Sequence, residues 1–477
     1  MAARPRAEKR DACMFFESKS AARNGAKWLS RHTFRWLAAA RAGTLLIMLA
    51  AVAGCAQYQP LPETARLPAT PAPPKQVWTL ESATQFAFKH NPQLIESNTQ
   101  LTLARQQAGL ANVPPPMSLG FSLDHPWQQG LFNAFSLSVS QDLSYWLKQA
   151  PRKQATQARL RQAILNHRWQ AWQLAAAVQQ QYVTVWYQQK QLRLLQAQIQ
   201  WVDQRITANA AAEQAGLITA DTQALLLTNA AQWQQMAHAA NLQRIKNLTQ
   251  LRQLLGLPAD AALHLTKPPQ PVLSTRIINT SSIAQRPDVL ALKAAIDEQD
   301  AQYRQALIDQ FPSISLGLTR AQDTSKVQTM GVGINLVLPS FDGNRHAISV
   351  AKTSRKLAAE QYQHRLVQIR SDFAALRQKQ AELQRAGRQI EANLPALRQR
   401  LNEAEQAMAQ GLVNANTVDT LRQTVVNKRL ALLQNNAARQ RAGYALPALV
   451  GIDPAVLSSL TSSSNAAANQ SPTPTEH

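Results

Sequence analysis

Two stretches of this sequence carry an apolar residue at every seventh position without a polar interruption. In the first, Ile164, Ala171, Val178, Val185, Leu192, Ile199 and Ile206 keep the spacing. In the second, Tyr362, Ile369, Leu376, Leu383, Ile390, Leu397 and Ala404 do so, joined by Leu366, Phe373, Leu394, Leu401 and Met408 at the complementary positions. A seven-residue stripe keeps one seam toward a neighbour only if the helices supercoil left-handedly. A helix over residues 152–214 would be about 95 Å long at about 1.5 Å per residue, far beyond an ordinary globular helix.

The two stripes belong to an internal repeat. Asn91-Pro92-Gln93-Leu94 recurs as Arg286-Pro287-Asp288-Val289, and the run from Gly216 to Thr222 recurs from Gly411 to Thr417. Leu254-Leu255-Gly256 recurs as Leu449-Val450-Gly451. All three landmarks keep one offset of about 195 residues, which fixes a common register. Each repeat reads as a shorter amphipathic helix (82–110 and 283–309), two alternating strands, a long helix, and after the tip glycine a further helix, over 219–255 in the first repeat. The alternation sets Leu119, Phe121 and Leu123 against Ser118, Gly120 and Ser122, then Phe135, Leu137 and Val139 against Ser136, Ser138 and Ser140. The second repeat answers with Ile314, Leu316 and Leu318, then Val332, Ile334, Leu336 and Leu338.

Four such strands constrain assembly. They are of a length to cross an outer membrane in a tilted barrel, and nothing after the leader offers the roughly twenty apolar residues of a membrane helix. An open sheet edge in hydrocarbon leaves backbone groups unpaired, and the smallest bacterial barrels have about eight strands, so copies must associate. Trp146 and Phe341 follow the second strand of each hairpin and suit one membrane interface; Trp127 suits the other.

The leader sets the compartment. Basic residues precede the short apolar run from Thr44 to Ala53, a secretory signal too short to span a bilayer. It ends Val52-Ala53-Gly54-Cys55, which resembles the lipobox of bacterial lipoproteins and marks Cys55 for lipidation. Ala56, rather than an aspartate, follows it, compatible with outer-membrane sorting, and the long basic region makes Met14 an alternative start. The only other cysteine, Cys13, lies in the leader, so no intrachain disulfide survives cleavage. The organisation expected is 1–54 signal peptide, 55–78 Pro-rich tether, 79–265 first repeat, 266–282 linker, 283–454 second repeat and 455–477 disordered tail.

The formal net charge of +22 raises nucleic acid as a partner. Ten Lys/Arg from Arg4 to Arg41 face only Glu8, Asp11 and Glu17, so about a third of the excess leaves with the leader. The rest is scattered among Gln, Ala and Leu without stacking aromatics, which argues against nucleic-acid binding. The nine His show no metal-ligand spacing, and there is no phosphate loop, nucleophile elbow or dinucleotide fingerprint. We expect no enzyme, no cofactor and no metal.

The helix opening WTLESATQFAFKHNPQL, the RPDV opening of repeat two, the FPSISLGL strand, the VGINLVLPSFDG strand ending and the paired tip glycines together resemble the outer-membrane efflux protein family typified by TolC. The resemblance runs from about Trp78 to Ile452. It implies an α+β membrane protein: a homotrimer with a twelve-stranded β-barrel in outer-membrane lipid, continued by a long periplasmic α-helical barrel. It also implies a periplasmic adaptor and an inner-membrane pump, proton-driven or ABC-type, as partners in tripartite efflux or type I secretion. The tip turns at Gly216 and Gly411 are then the adaptor-docking ends. Family channels close at the periplasmic end, with two gate carboxylates in the helix after the second tip glycine; the matching region here holds only Asp419, with Arg422 three residues on, so these two are the gate candidates and a carboxylate pair is absent. The competing reading is a lipid-anchored periplasmic coiled-coil scaffold or adaptor, which the heptads alone permit but which has no need of lipid-facing strands.

Overall fold

The computed structural model describes residues 77–215, 219–271, 283–338 and 343–451. The expectations for the leader, Cys55, the tether, Gly216, most of the linker, Phe341 and the tail fall outside these residues. Repeat one gives α1 (Leu80–His90), α2 (Pro92–Leu110), β1 (Ser118–Asp124), β2 (Ala134–Asp142), α3 (Ser144–Gln214) and α4 (Ala220–Leu255). Repeat two gives α5 (Pro287–Ile308), β3 (Ser313–Gln322), β4 (Gln328–Val337), α6 (Arg345–Ala409) and α7 (Ala415–Val450).

Two boundaries differ from the sequence reading. The helix expected over 82–110 is two helices, because the residue before a proline is pushed out of the α region: Asn91 has φ −68° and ψ 122° ahead of Pro92. The first long helix starts at Ser144 rather than Arg152, and runs through Pro151. That proline deprives the Leu147 carbonyl of its helical donor. Leu147 is exposed, so water can satisfy it.

At 71 and 65 residues, α3 and α6 are the spines. On the strand side α3 packs against α2 and α5, and α6 against α5; on the tip side α3 packs against α4 and α7, and α6 against α7. Each half is thus one layer of four helices, ordered α2-α3-α5-α6 and α4-α3-α7-α6, with two stacked short helices beside each long one. The seams follow the stripes: Val178 and Val185 on α3 and Ile369 on α6 are fully buried, and Leu394, Leu401 and Ala404 close a cluster with Val418 and Val425 of α7.

The main core lies where the stacked helices meet. Leu80, Ala83, Ala87, Leu94, Val178, Tyr182, Leu251 and Leu255 pack there with the connecting chain after α4. Trp78 and Leu265 form an isolated parallel bridge, and the Tyr182 hydroxyl reaches the Trp78 carbonyl at 2.7 Å and the Thr266 carbonyl at 2.9 Å. Tyr444 of α7 donates to the Pro269 carbonyl at 2.6 Å. Two tyrosines, one from each repeat, therefore fasten the connecting strands onto the helices.

Candidate functional site

The four strands form one antiparallel sheet in chain order, β1-β2-β3-β4. The register aligns cross-strand rows: Leu119 opposite Val139, Leu318 and Val332 on one face, and Gly120 opposite Ser138, Thr319 and Gly331 on the other. The next row on the second face is Ser118, Ser140, Gly317 and Gly333. Hydroxyl pairs tie this face, with Ser118 and Ser140 Oγ 2.7 Å apart and Ser122 and Ser136 Oγ 2.9 Å apart. A Cβ at Gly120 would lie 2.7 Å from Ser138 Oγ, so a larger residue there would turn the serine hydroxyl away.

The apolar face is bare. Phe121 is 69% exposed, Val332 70% and Met330 80%. β1 and β4, the outer strands, have no partner on their far edges among the described residues. Long open edges beside an uncovered apolar face are unstable in water and invite pairing with another chain and contact with lipid. A strand of ten residues extends about 34 Å, enough to cross the apolar band of an outer membrane when tilted. Trp127, in the β1–β2 loop, is fully exposed, and Trp146, in the first turn of α3, is more than half exposed, at opposite ends of the hairpin. No described helix is long and apolar enough to cross a membrane.

At the other end, α6 reverses into α7 through Gly411, whose φ of +73° lies in the left-handed region that glycine adopts without strain. Its N–H donates to the Met408 carbonyl at 3.0 Å, and Leu412 N to Ala407 O at 2.9 Å, closing the end of α6. Asp419 and Arg422 lie one turn and two turns further on. The geometry does not join them as an exposed pair. Arg422 Nη1 donates to Glu405 of α6 at 3.0 Å, and its guanidinium lies 4.2 Å from the Trp201 ring of α3. Asp419 instead faces Arg205 of α3, at 3.8 Å. That separation is too long for a hydrogen bond, and Asp419 Oδ1 and Arg205 Nε are both buried without one. Burial accordingly pushes the Asp419 carboxyl up, against the opposing charges of Arg205 and Arg422. Sequence reading missed Arg205, Trp201 and Glu405, because they come from two other helices, α3 and α6, whose register against α7 no single helix shows. The matching antiparallel register of the heptads was the available signal.

A second polar cluster lies at the joint between the halves. Arg286, 1% exposed, donates from Nε and Nη2 to the Asp288 carboxylate at 2.9 Å each and from Nη1 to the Leu449 carbonyl at 2.6 Å. Arg365 of α6 adds a bond to Asp288 Oδ2 at 2.8 Å. Trp169 of α3 lies 4.7 Å beneath the Arg286 guanidinium. Burial alone would raise the Asp288 carboxyl, but Arg286 and then Arg365 outweigh it and hold it below the usual carboxylate range.

No curated protein matches the chain. Residues 280–452 match the family described as outer membrane efflux protein. Among solved structures, the outer-membrane channel OprN aligns with a TM-score of 0.69 at 15% identity, over 84% of this chain and 99% of that one. The CmeC outer membrane channel of Campylobacter jejuni aligns at 0.67 and 16% identity, over 78% and 85% of the two chains. The open state of the MtrE outer membrane channel of Neisseria gonorrhoeae gives 0.62 at 17%, over 79% and 89%. The fold is therefore that of the outer-membrane efflux channels. Its second repeat is the part that resembles the outer membrane efflux protein family, and the first repeat is built to the same plan.

Proposed function

We propose that the chain is the outer-membrane channel-tunnel of a tripartite efflux or type I secretion system, a passive duct for molecules delivered by an inner-membrane pump through a periplasmic adaptor. The observation that carries this is the sheet with a bare apolar face and two open edges. One rotation satisfies both edges and helices: it sets β4 against β1 of the next copy, and α6, which follows β4, against α2 and α4 of that copy. Three copies give the twelve-stranded barrel of the family. Cys55 is the lipid anchor, the turns at Gly216 and Gly411 face the adaptor, and Asp419 and Arg422 belong to the periplasmic closure, held through Arg205 and Glu405. The chain carries no chemistry of its own.

Membrane fractions washed with salt and carbonate test the duct. The protein should stay in the membrane, run as a heat-modifiable trimer, and conduct in planar bilayers. The Cys55→Ala protein, exported with another signal, should still form trimers, since lipid tethers only the N-terminus. Lipid-only attachment without heat-modifiable oligomers would favour the scaffold. For the closure, Asp419→Ala and Arg422→Ala should each raise single-channel conductance, and unchanged conductance in both leaves them as ordinary packing. Gly411→Val and Gly216→Val should impair export while trimers still form.

A further inference from the structure

The tip half of the helical layer has a register that can be followed rung by rung. Across the α6/α7 hairpin Glu405 meets Arg422 at 3.0 Å. One heptad away from the tip on both helices the same rung holds Arg398 and Arg429, and one heptad beyond that Glu391 and Asn436, which line a common cavity of about 350 Å³. On the α3 side Trp201 meets Arg422, and Tyr187 shares that cavity with Asn436, so the register sets Leu194 beside Arg429. Two rungs thus combine an acid or amide with a partner, and the one between them opposes two arginines.

Nothing neutralises that middle rung. Arg398 and Arg429 are both exposed, and among the described residues neither has an ion pair or hydrogen-bond partner; partial desolvation and the charges of Arg398 and Arg422 lower the Arg429 guanidinium pKa. Of the two acids toward the tip on α6, Glu403 accepts from Gln399 at 2.9 Å and Glu405 is taken by Arg422. Opposed like charges are unfavourable in themselves. An apolar wall runs beside them: Leu194, Ile199 and Trp201 belong to the cluster built on Leu195 and Val202. Two forked guanidiniums next to an apolar wall suit one ligand chemistry, an oxyanion carried on an apolar body.

We propose that Arg398 and Arg429 form a binding site for an organic anion, its carboxylate, sulfonate or phosphate between the two guanidiniums and its apolar part along Leu194 and Trp201. That such anions are among the molecules carried rests on the channel reading; the site itself does not. Calorimetric titration of the full-length protein in detergent with naphthalene-2-sulfonate, against the neutral 2-naphthylmethanol, tests it. The sulfonate should bind about ten-fold more tightly than the alcohol at low salt, a preference that shrinks at high salt. In the Arg398→Gln/Arg429→Gln double variant the preference should fall to about one-fold, with trimer size and bilayer conductance kept. Arg398→Glu, which repeats the Glu405–Arg422 rung, should abolish the preference and raise the thermal midpoint. Equal binding of the two probes to the wild type, or a preference that survives the double variant, overturns the site. A normal preference in a protein that neither trimerises nor conducts would leave the site standing and overturn the channel instead.

Discussion

Where α2 begins beside the end of α4 an asparagine makes the joint, and where α5 begins beside the end of α7 an arginine does. Asn91 accepts from Leu94 N at 3.0 Å and donates to the Leu254 carbonyl at 2.9 Å. Arg286 donates to the Leu449 carbonyl, and the two reaches span the same 163 residues. Both repeats therefore face one backbone problem, the unsatisfied carbonyls at a helix C-terminus set against the start of another helix. The neutral solution needs one amide. The charged one needs Asp288 to balance the first guanidinium, which in turn admits a second, Arg365, and so brings α6 into the joint. The comparison teaches that a repeat can keep its geometry while one copy gains a link to a further helix.

The largest expected effect breaks the charged joint. Asp288→Asn leaves Arg286 buried without its carboxylate and should cost about 3–5 kcal/mol in denaturant unfolding of the detergent-solubilised protein. The pH dependence has a definite sign. Because the folded-state pKa of Asp288 is lowered, its contribution is complete above the unfolded value of about 3.9 and is lost as pH falls through the folded one. Wild type and Asp288→Asn should therefore differ at neutral pH and converge only in strong acid.

Next comes the glycine that ends α4. Gly256 has φ +69°, and a Cβ there would lie 2.2 Å from the His90 carbonyl oxygen, whereas Gly411 at φ +73° has open space around it. Gly256→Ala should cost about 2–4 kcal/mol from backbone strain and overlap together, and Gly411→Ala about 1–2 kcal/mol from strain alone. Equal thermal shifts for the two would show that the close approach at His90 is relieved without penalty. Asn91→Ala, which breaks the neutral joint, should cost about 1–2 kcal/mol, clearly less than Asp288→Asn. If the two variants unfold at the same denaturant concentration, the extra helix held by Arg365 adds nothing.

The smallest effect is expected at Asp419. Its pKa is raised, so its favourable contribution is present below the unfolded value and lost as pH rises through the folded one. Asp419→Asn should leave the unfolding midpoint unchanged or slightly higher at pH 7, and the difference should vanish in acid. A clear destabilisation would show instead that the 3.8 Å approach of Arg205 acts as a strong ion pair.

The fold was legible wherever a periodicity had to be satisfied by a surface. Ile369 and Val178 read as seam residues and are buried; Phe121 and Val332 read as an outward apolar face and are bare. The two faces of the sheet followed from alternation, because a one-residue slip would have put Leu119 beside Ser138. Helix ends were less legible: α3 begins at Ser144, eight residues before the start expected at Arg152, and the break at Asn91 is local backbone sterics hidden inside an amphipathic pattern. The tip cluster was half legible. Asp419 and Arg422 stood out from one helix, but their actual neighbours, Arg205 and Glu405, come from two others. Side-chain pairing across helices depends on a relative register that one helix does not contain.

In the channel proposed above, the Ser and Gly face of the sheet has a consequence for how the duct can change over generations. Along the rows through Gly120 and Ser118 no side chain is larger than threonine, so within them the bore follows the backbone. A single codon change to arginine at Gly333 would, in a threefold ring, place three long cations at one level. Each mutation there is tripled before selection sees it, and gradual narrowing has few intermediate steps. A wall of this kind favours staying wide, and leaves refinement of what passes to the parts of the molecule where one altered side chain meets a different neighbour.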